Sequence, residues 1–257
     1  MNPIKNGINE KITVGLDIGS STIKCAIGKI NSGTKQVKLL GISSVSSEGI
    51  NKGIITHRDK LIEALENVMS DAERMADIKV TNTTLSITGE HIRSLNTQAA
   101  IPLNPINGTS GKILDRSIEN SDIYQVLDLA QAVSLPVDRG ILHTLPQEYL
   151  VDTLDEIKNP IGMTGRRLEG RVHLVTATTT AISNLINCVE ELGITVGHLV
   201  FHPLASALST LKDDETELGV TIAEIGSSTT NLAVYHSGAV RHSAIIPIGS
   251  SSITNDI

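Results

Sequence analysis

The pentapeptide I-G-S-S-T occurs twice in this chain, at residues 18–22 and again at 225–229. An acid precedes each copy and an alternating, strand-like segment follows it. The first copy reads V-G-L-D-I-G-S-S-T-I-K-C-A-I, and the second V-T-I-A-E-I-G-S-S-T-T-N-L-A-V. Aligned, Asp17 falls on Glu224, Gly19 on Gly226, Ser20 and Ser21 on Ser227 and Ser228, and Ala26 on Ala233. Two such tips, far apart in sequence, imply a pair of related domains, each offering one small-residue turn to a ligand between them.

Tips of this composition suit phosphate. In Gly19, Ser20, Ser21 and Thr22, and in Gly226, Ser227, Ser228, Thr229 and Thr230, backbone N–H groups can approach an anion closely and hydroxyls can add donors. Asp17 and Glu224 would repel a bare phosphate. They make sense if Mg²⁺ lies between acid and phosphate, because Mg²⁺ takes one or two carboxylates together with water and phosphate oxygens. Lys24 shares a strand face with Thr22 and can act as a point charge. A single copy would be explained as well by an ordinary polar turn, so the argument rests on the repetition. No G-x-x-x-x-G-K-[ST] or G-x-G-x-x-G segment is present, which excludes a P-loop or dinucleotide fingerprint.

Composition narrows the class. With 40% hydrophobic residues but one Phe, three Tyr and no Trp, the core must be aliphatic, and platforms for base stacking are missing. The net charge of -7 also opposes a nucleic-acid binder. Cys25 and Cys188 lie singly on apolar segments and read as reduced core residues of an intracellular protein. The N-terminal segment is polar, without a signal-peptide core, and no apolar run reaches membrane-spanning length.

Periodicity orders the chain into strands and helices. Residues 12–30 read as a hairpin and 37–45 as a third strand. Thr56-x-x-Asp59 reads as a capping box that opens a helix to about residue 75, with Leu61, Leu65, Val68, Met69 and Ala72 on one face. Strands are expected at 83–89 and 92–101, a loop at 104–111, and a helix at about 122–134 with Ile123, Val126, Leu127 and Ala130 inward. Then come strands at 140–151 and 171–177, a helix at 180–192 stopped by Gly193, a strand at 198–201 and a short helix at 203–211. A charged turn at 212–217 precedes the second hairpin, 221–235, and its return strand, 240–248. This alternation is α/β. Residues 82–165 lack the phosphate-hairpin pattern and read as an inserted module.

Within that module stand L-S-I-T-G-E-H-I, H-T-L-P-Q-E-Y-L-V-D and I-K-N-P-I-G-M-T-G-R-R-L-E-G-R-V-H-L-V, followed later by L-G-V-T-I-A-E-I-G-S-S-T-T-N-L-A-V-Y and I-P-I-G-S-S-S-I-T-N-D-I. With these segments the chain, from about residue 13 to 257, resembles the FtsA family, actin-like bacterial cell-division proteins of the actin/Hsp70/hexokinase superfamily. The resemblance is to the N-terminal part of that family. It implies an actin-like (ribonuclease H-like) two-domain α/β fold, truncated, with an α+β insert. Residues 1–81 and 166–193 would form the first actin-like subdomain, 82–165 the interaction insert, and 194–257 the start of the second subdomain.

The resemblance also implies a function. Such a protein binds ATP and Mg²⁺ and polymerises with itself. It links the FtsZ ring to the inner face of the cytoplasmic membrane and recruits later division proteins through the insert. The FtsZ-binding lobe, the adenosine motif and the lipid-binding C-terminal helix belong to segments beyond residue 257. Glu224 stands where the family carries Asp, and His202 where catalytic relatives carry a water-orienting Glu, so both are candidate catalytic residues. His143, His173, Arg166 and Arg167 read as packing or surface groups. A phosphotransferase or chaperone-type ATPase of the same superfamily, and a shortened paralogue that binds nothing, are the alternatives.

Overall fold

A computed structural model describes residues 10–31, 33–34, 36–104, 106–107 and 113–256. Strands β1 (Glu10–Ile18), β2 (Thr22–Asn31) and β3 (Val37–Ser46) form an antiparallel meander. Alternation puts Val14, Leu16 and Ile18 of β1, and Ile23, Cys25 and Ile27 of β2, on one buried face. The short ladder β4 (Ile50–Asn51) and β5 (Ile54–Ile55) leads to α1 (Arg58–Ala76), which covers that face with Leu61, Leu65, Val68, Met69 and Ala72. β6 (Asn82–Ile87) then pairs parallel with β1.

The chain next leaves the first sheet. β7 (Ile92–Pro102), the ladder β8 (Ile106–Asn107) and β9 (Ile113–Leu114), α2 (Asn120–Gln131), β10 (Arg139–Val151), β11 (Leu154–Ile157) and β12 (Arg167–Thr178) make a separate unit. Its antiparallel sheet has the order β11-β10-β12-β7, and α2 lays Val126 and Ala130 on it. After α3 (Thr179–Glu190), β13 (Thr195–Phe201) returns beside β6 to complete a five-stranded sheet, β13-β6-β1-β2-β3. Helices α4 (His202–Thr210) and α5 (Asp213–Leu218) precede a last antiparallel sheet of β14 (Val220–Ile225), β15 (Thr230–His236) and β16 (Ala239–Ile246), followed by α6 (Ser250–Asn255).

Several expectations are corrected. The Thr56/Asp59 capping box does not form. The Gly49 carbonyl accepts from both Thr56 N and His57 N, which keeps Thr56 outside the helix and makes His57 the N-cap, with no side-chain cap. The charged segment after Lys212 is a short helix, not a turn. Part of the expected loop at 104–111 pairs as β8 with β9, and residues 105 and 108–111 lie outside the described residues.

The expected subdomain limits also move. β6 belongs to the first sheet, and β12 belongs to the inserted sheet, so the insert runs from about β7 to β12 and not from 82 to 165. β13 likewise closes the first sheet, so the second half cannot begin at 194. These limits follow from long-range strand pairing, which local sequence pattern does not encode.

Candidate functional site

Both I-G-S-S-T copies close their hairpins in the same way. Gly19 N donates to Thr22 O at 3.1 Å, and Gly226 N donates to Thr229 O at 2.9 Å. A Cβ on Gly19 would stand 2.8 Å from Thr22 O and one on Gly226 3.1 Å from Thr229 O, so close approach is what favours glycine there. None of the four serines has a positive φ, so these turns hold Ser without backbone strain. Among the described residues, the main-chain N–H groups of Ser20, Ser21, Ser227 and Ser228 donate to no protein acceptor.

The two tips meet. Ser228 Oγ donates to Ser20 Oγ at 2.7 Å, and Lys52 N donates to both hydroxyls at 3.1 Å. Sequence reasoning missed Lys52. Its only signal is the N-K-G run, in which Lys52 and Gly53 both take positive φ and a Cβ on Gly53 would lie 2.1 Å from Thr88 O. Gly249 was missed as well. Its missing side chain lets α6 pack on the second tip, where Ser250 N and Ser251 N donate to Gly226 O and Ser227 O. Ser227 Oγ in turn pairs with Ser251 Oγ at 2.6 Å. Thr229 is buried, and the half-buried Thr230 donates its hydroxyl to Ile248 O.

The acids lie behind the tips, one residue from each turn. Asp17 sits across the hairpin from Lys24, and Glu224 across from Asn231. His202, a candidate catalytic residue on sequence, stands between the acids at the start of α4. Its Nδ1 is 3.5 Å from Asp17 Oδ1 and its Nε2 is 3.4 Å from Glu224 Oε1. The inserted sheet helps to set that position, because His143 Nε2 accepts the N–H of Phe201, the residue before His202, at 2.9 Å. Burial holds the His143 imidazole below its ordinary pKa, which suits a neutral acceptor. Asp17, Lys24, Thr84, Ser86, His202 and Ser206 line a cavity of about 460 Å³ on the face of the first sheet opposite α1.

The second sheet is fastened to the first sheet and to the insert by polar groups. Thr88 Oγ1 donates to Asn231 Oδ1 at 2.7 Å. Ser94 Oγ donates to Ser243 O, and Gln147 Nε2 to Val240 O. The buried His173 ring lies between Asn96 Oδ1 and Ser243 Oγ, at 2.6 and 2.8 Å. Glu148 receives Arg171 and Arg241. Burial pushes its pKa up, but the two guanidiniums outweigh that and hold the carboxyl below its usual range.

The family model describing the SHS2 domain inserted in FtsA matches residues 89–176, nearly the span of the unit that β7 to β12 build. The chain is similar to "Cell division protein FtsA" of Pseudomonas aeruginosa, 38% identical over 96% of this chain and 57% of that one. The chain belongs to the FtsA family. An FtsA of Escherichia coli K12 is 32% identical over 97% of this chain and 57% of its own. The chain thus spans little more than half the length of these FtsA relatives. Among solved structures, a chain of the PilM-PilN type IV pilus biogenesis complex has the same fold, with a TM-score of 0.68 at 13% identity over 95% of this chain and 64% of that one. The α/β fold of this FtsA family member is actin-like.

Proposed function

We propose that the paired hairpin tips bind the phosphates of ATP and that this occupancy governs assembly of an actin-like cell-division protein. The observation that carries this reading is the meeting of two identical turns, with four uncommitted serine N–H groups around one junction. The Ser20 and Ser21 amides would face the phosphates from one side and those of Ser227 and Ser228 from the other, while Gly19 and Gly226 hold the turns and Lys52 N holds the two tip hydroxyls.

The residues present fit a divalent cation. Asp17 Oδ1 is buried and lacks a hydrogen-bond partner, and Glu224 approaches from the opposite sheet. Asp17 and Glu224 would hold Mg²⁺ through water, and the ion would offset phosphate charge. His202, in reach of both carboxylates, would order water between them and can accept a proton from it. Lys24, beside Asp17, adds a positive charge at the rim of the same cavity.

Family membership supports a larger role. The protein would polymerise and tie the FtsZ ring to the inner face of the membrane, with FtsZ and lipid met by parts of the relatives that this chain does not span. The insert would supply a face for filament contacts and for later division proteins. Its own core on α2 and its polar seam with the second sheet support that reading.

The test is equilibrium binding of a fluorescent ATP analogue with Mg²⁺ to the full-length protein. Asp17→Ala should weaken binding about tenfold, in line with the loss of one charge-assisted contact. Gly19→Asp should abolish it. Unchanged affinity in both variants would overturn the clamp.

A further inference from the structure

A second cavity, of about 590 Å³, opens between the insert and β16, and Glu90, His91, Arg93, Arg139, Thr178 and His242 contribute to its walls. Its two arginines are fixed but not neutralised. Arg93 Nη1 donates to the carbonyls of Glu90 and Ile92. Arg139 Nε and Nη2 donate to Thr176, through its hydroxyl and its carbonyl. Among the described residues no carboxylate forms an ion pair with either guanidinium. Each therefore keeps N–H donors for something else, since a guanidinium carries five.

The surroundings point the same way. Burial first, and the charge of Arg93 second, hold Arg139 below its ordinary pKa, so two like charges confront each other here. His91 is only 7% exposed, and among the described residues neither ring nitrogen has a hydrogen-bond partner. Burial, then the nearby Arg139, hold its imidazole below the usual pKa. A buried polar ring without a partner is costly unless something completes it. Among the described residues that line the cavity Glu90 is the one carboxylate, and Asp138, next to Arg139 in sequence, acts on that guanidinium less than burial and Arg93 do.

We propose that this cavity is a binding site for a small soluble phosphate-type dianion, held by Arg93 and Arg139 with the rings of His91 and His242 beside it. Planar guanidiniums suit phosphate because they donate two parallel N–H bonds to two oxygens. The site is separate from the hairpin tips and does not depend on their reading. Its walls come from both the insert and the second sheet, so an occupant would bridge them.

The probe is inorganic phosphate at pH 8, where it is the dianion, titrated into the full chain labelled with ¹³C at the histidine rings. The ring signals of His91 and His242 should move saturably. In the Arg93→Gln/Arg139→Gln double variant, the half-saturating concentration should rise at least tenfold. If that variant does not fold, Arg93→Gln alone serves, because Arg93 is exposed, and about a threefold rise is expected. Absence of a saturable shift in the native chain, or an unchanged midpoint in a folded variant, would overturn the proposal.

Discussion

The two hairpins share five identical residues, a preceding acid and the same closing hydrogen bond, yet they bury opposite faces. In the first hairpin Ile18 is 4% exposed, and Leu16, Cys25 and Ile27 lie beside it under α1. At the aligned position of the second, Ile225 is 68% exposed. There the buried residues are Asn231 and Ala233, which align with Lys24 and Ala26 on the open side of the first sheet. The acid-bearing faces of the two sheets look toward one another across His202. The first sheet has α1 packed on its other face, whereas on the second sheet Ile225 stays exposed. A turn is thus a local property of its residues, whereas the buried face of its strands depends on what packs there.

The widest gap between the hairpins should appear on truncation. Leu65→Ala removes a fully buried side chain from under the first sheet and should cost about 2–5 kcal/mol. Ile225→Ala, on the uncovered face of the second sheet, should change stability by about 0.5 kcal/mol or less. Urea unfolding of both variants measures the difference, and equal losses would break the comparison.

Acid should act next, on the seam that holds the second sheet to the insert. Burial, with His242 adding to it, lowers the His173 pKa from 6.5 to about 4. Below pH 6.5 the unfolded chain takes up a proton that the folded ring refuses, so stability falls as pH drops from 6.5 toward 4 and then levels for this group. The cost by pH 4.5 is on the order of 2–3 kcal/mol. Glu148 adds a loss at still lower pH, because its depressed carboxyl pKa contributes stability only while it stays ionised. His173→Gln should flatten the first of these two losses, as read by thermal melts across pH.

The smallest effect sharpens the contrast at the tips. A Cβ on Gly249 would lie 2.4 Å from Ser227 O, so Gly249→Ala should push α6 off the second turn at a cost of about 1–3 kcal/mol. Hydrogen exchange should then speed at the Ser250 and Ser251 amides, which donate to Gly226 O and Ser227 O. The Ser47 amide, which donates to Ser21 O behind the first tip, should keep its rate.

Much of this molecule is legible in short windows of sequence. The alternation of Val14, Leu16 and Ile18 announces a half-buried strand, and the spacing of Leu61, Leu65, Val68, Met69 and Ala72 announces α1, because each pattern matches the period of its backbone. β11 was not legible, since L-D-E-I carries little alternation and forms a strand only because β10 offers it an edge. The Thr56 cap failed because a distant carbonyl, Gly49 O, claimed the backbone first.

The sequence by itself determined the two tips, their acids and the longer strands and helices, since these depend on glycine, small side chains and periodicity within a few residues. Tertiary structure alone decided the site. It brought Ser20 to Ser228 and placed His202 between Asp17 and Glu224. It also returned β13 to the first sheet and set Arg93 and Arg139 on the wall of one cavity. Each of these juxtapositions joins segments distant along the chain, and only the pairing and packing of whole sheets fixes the distances between them.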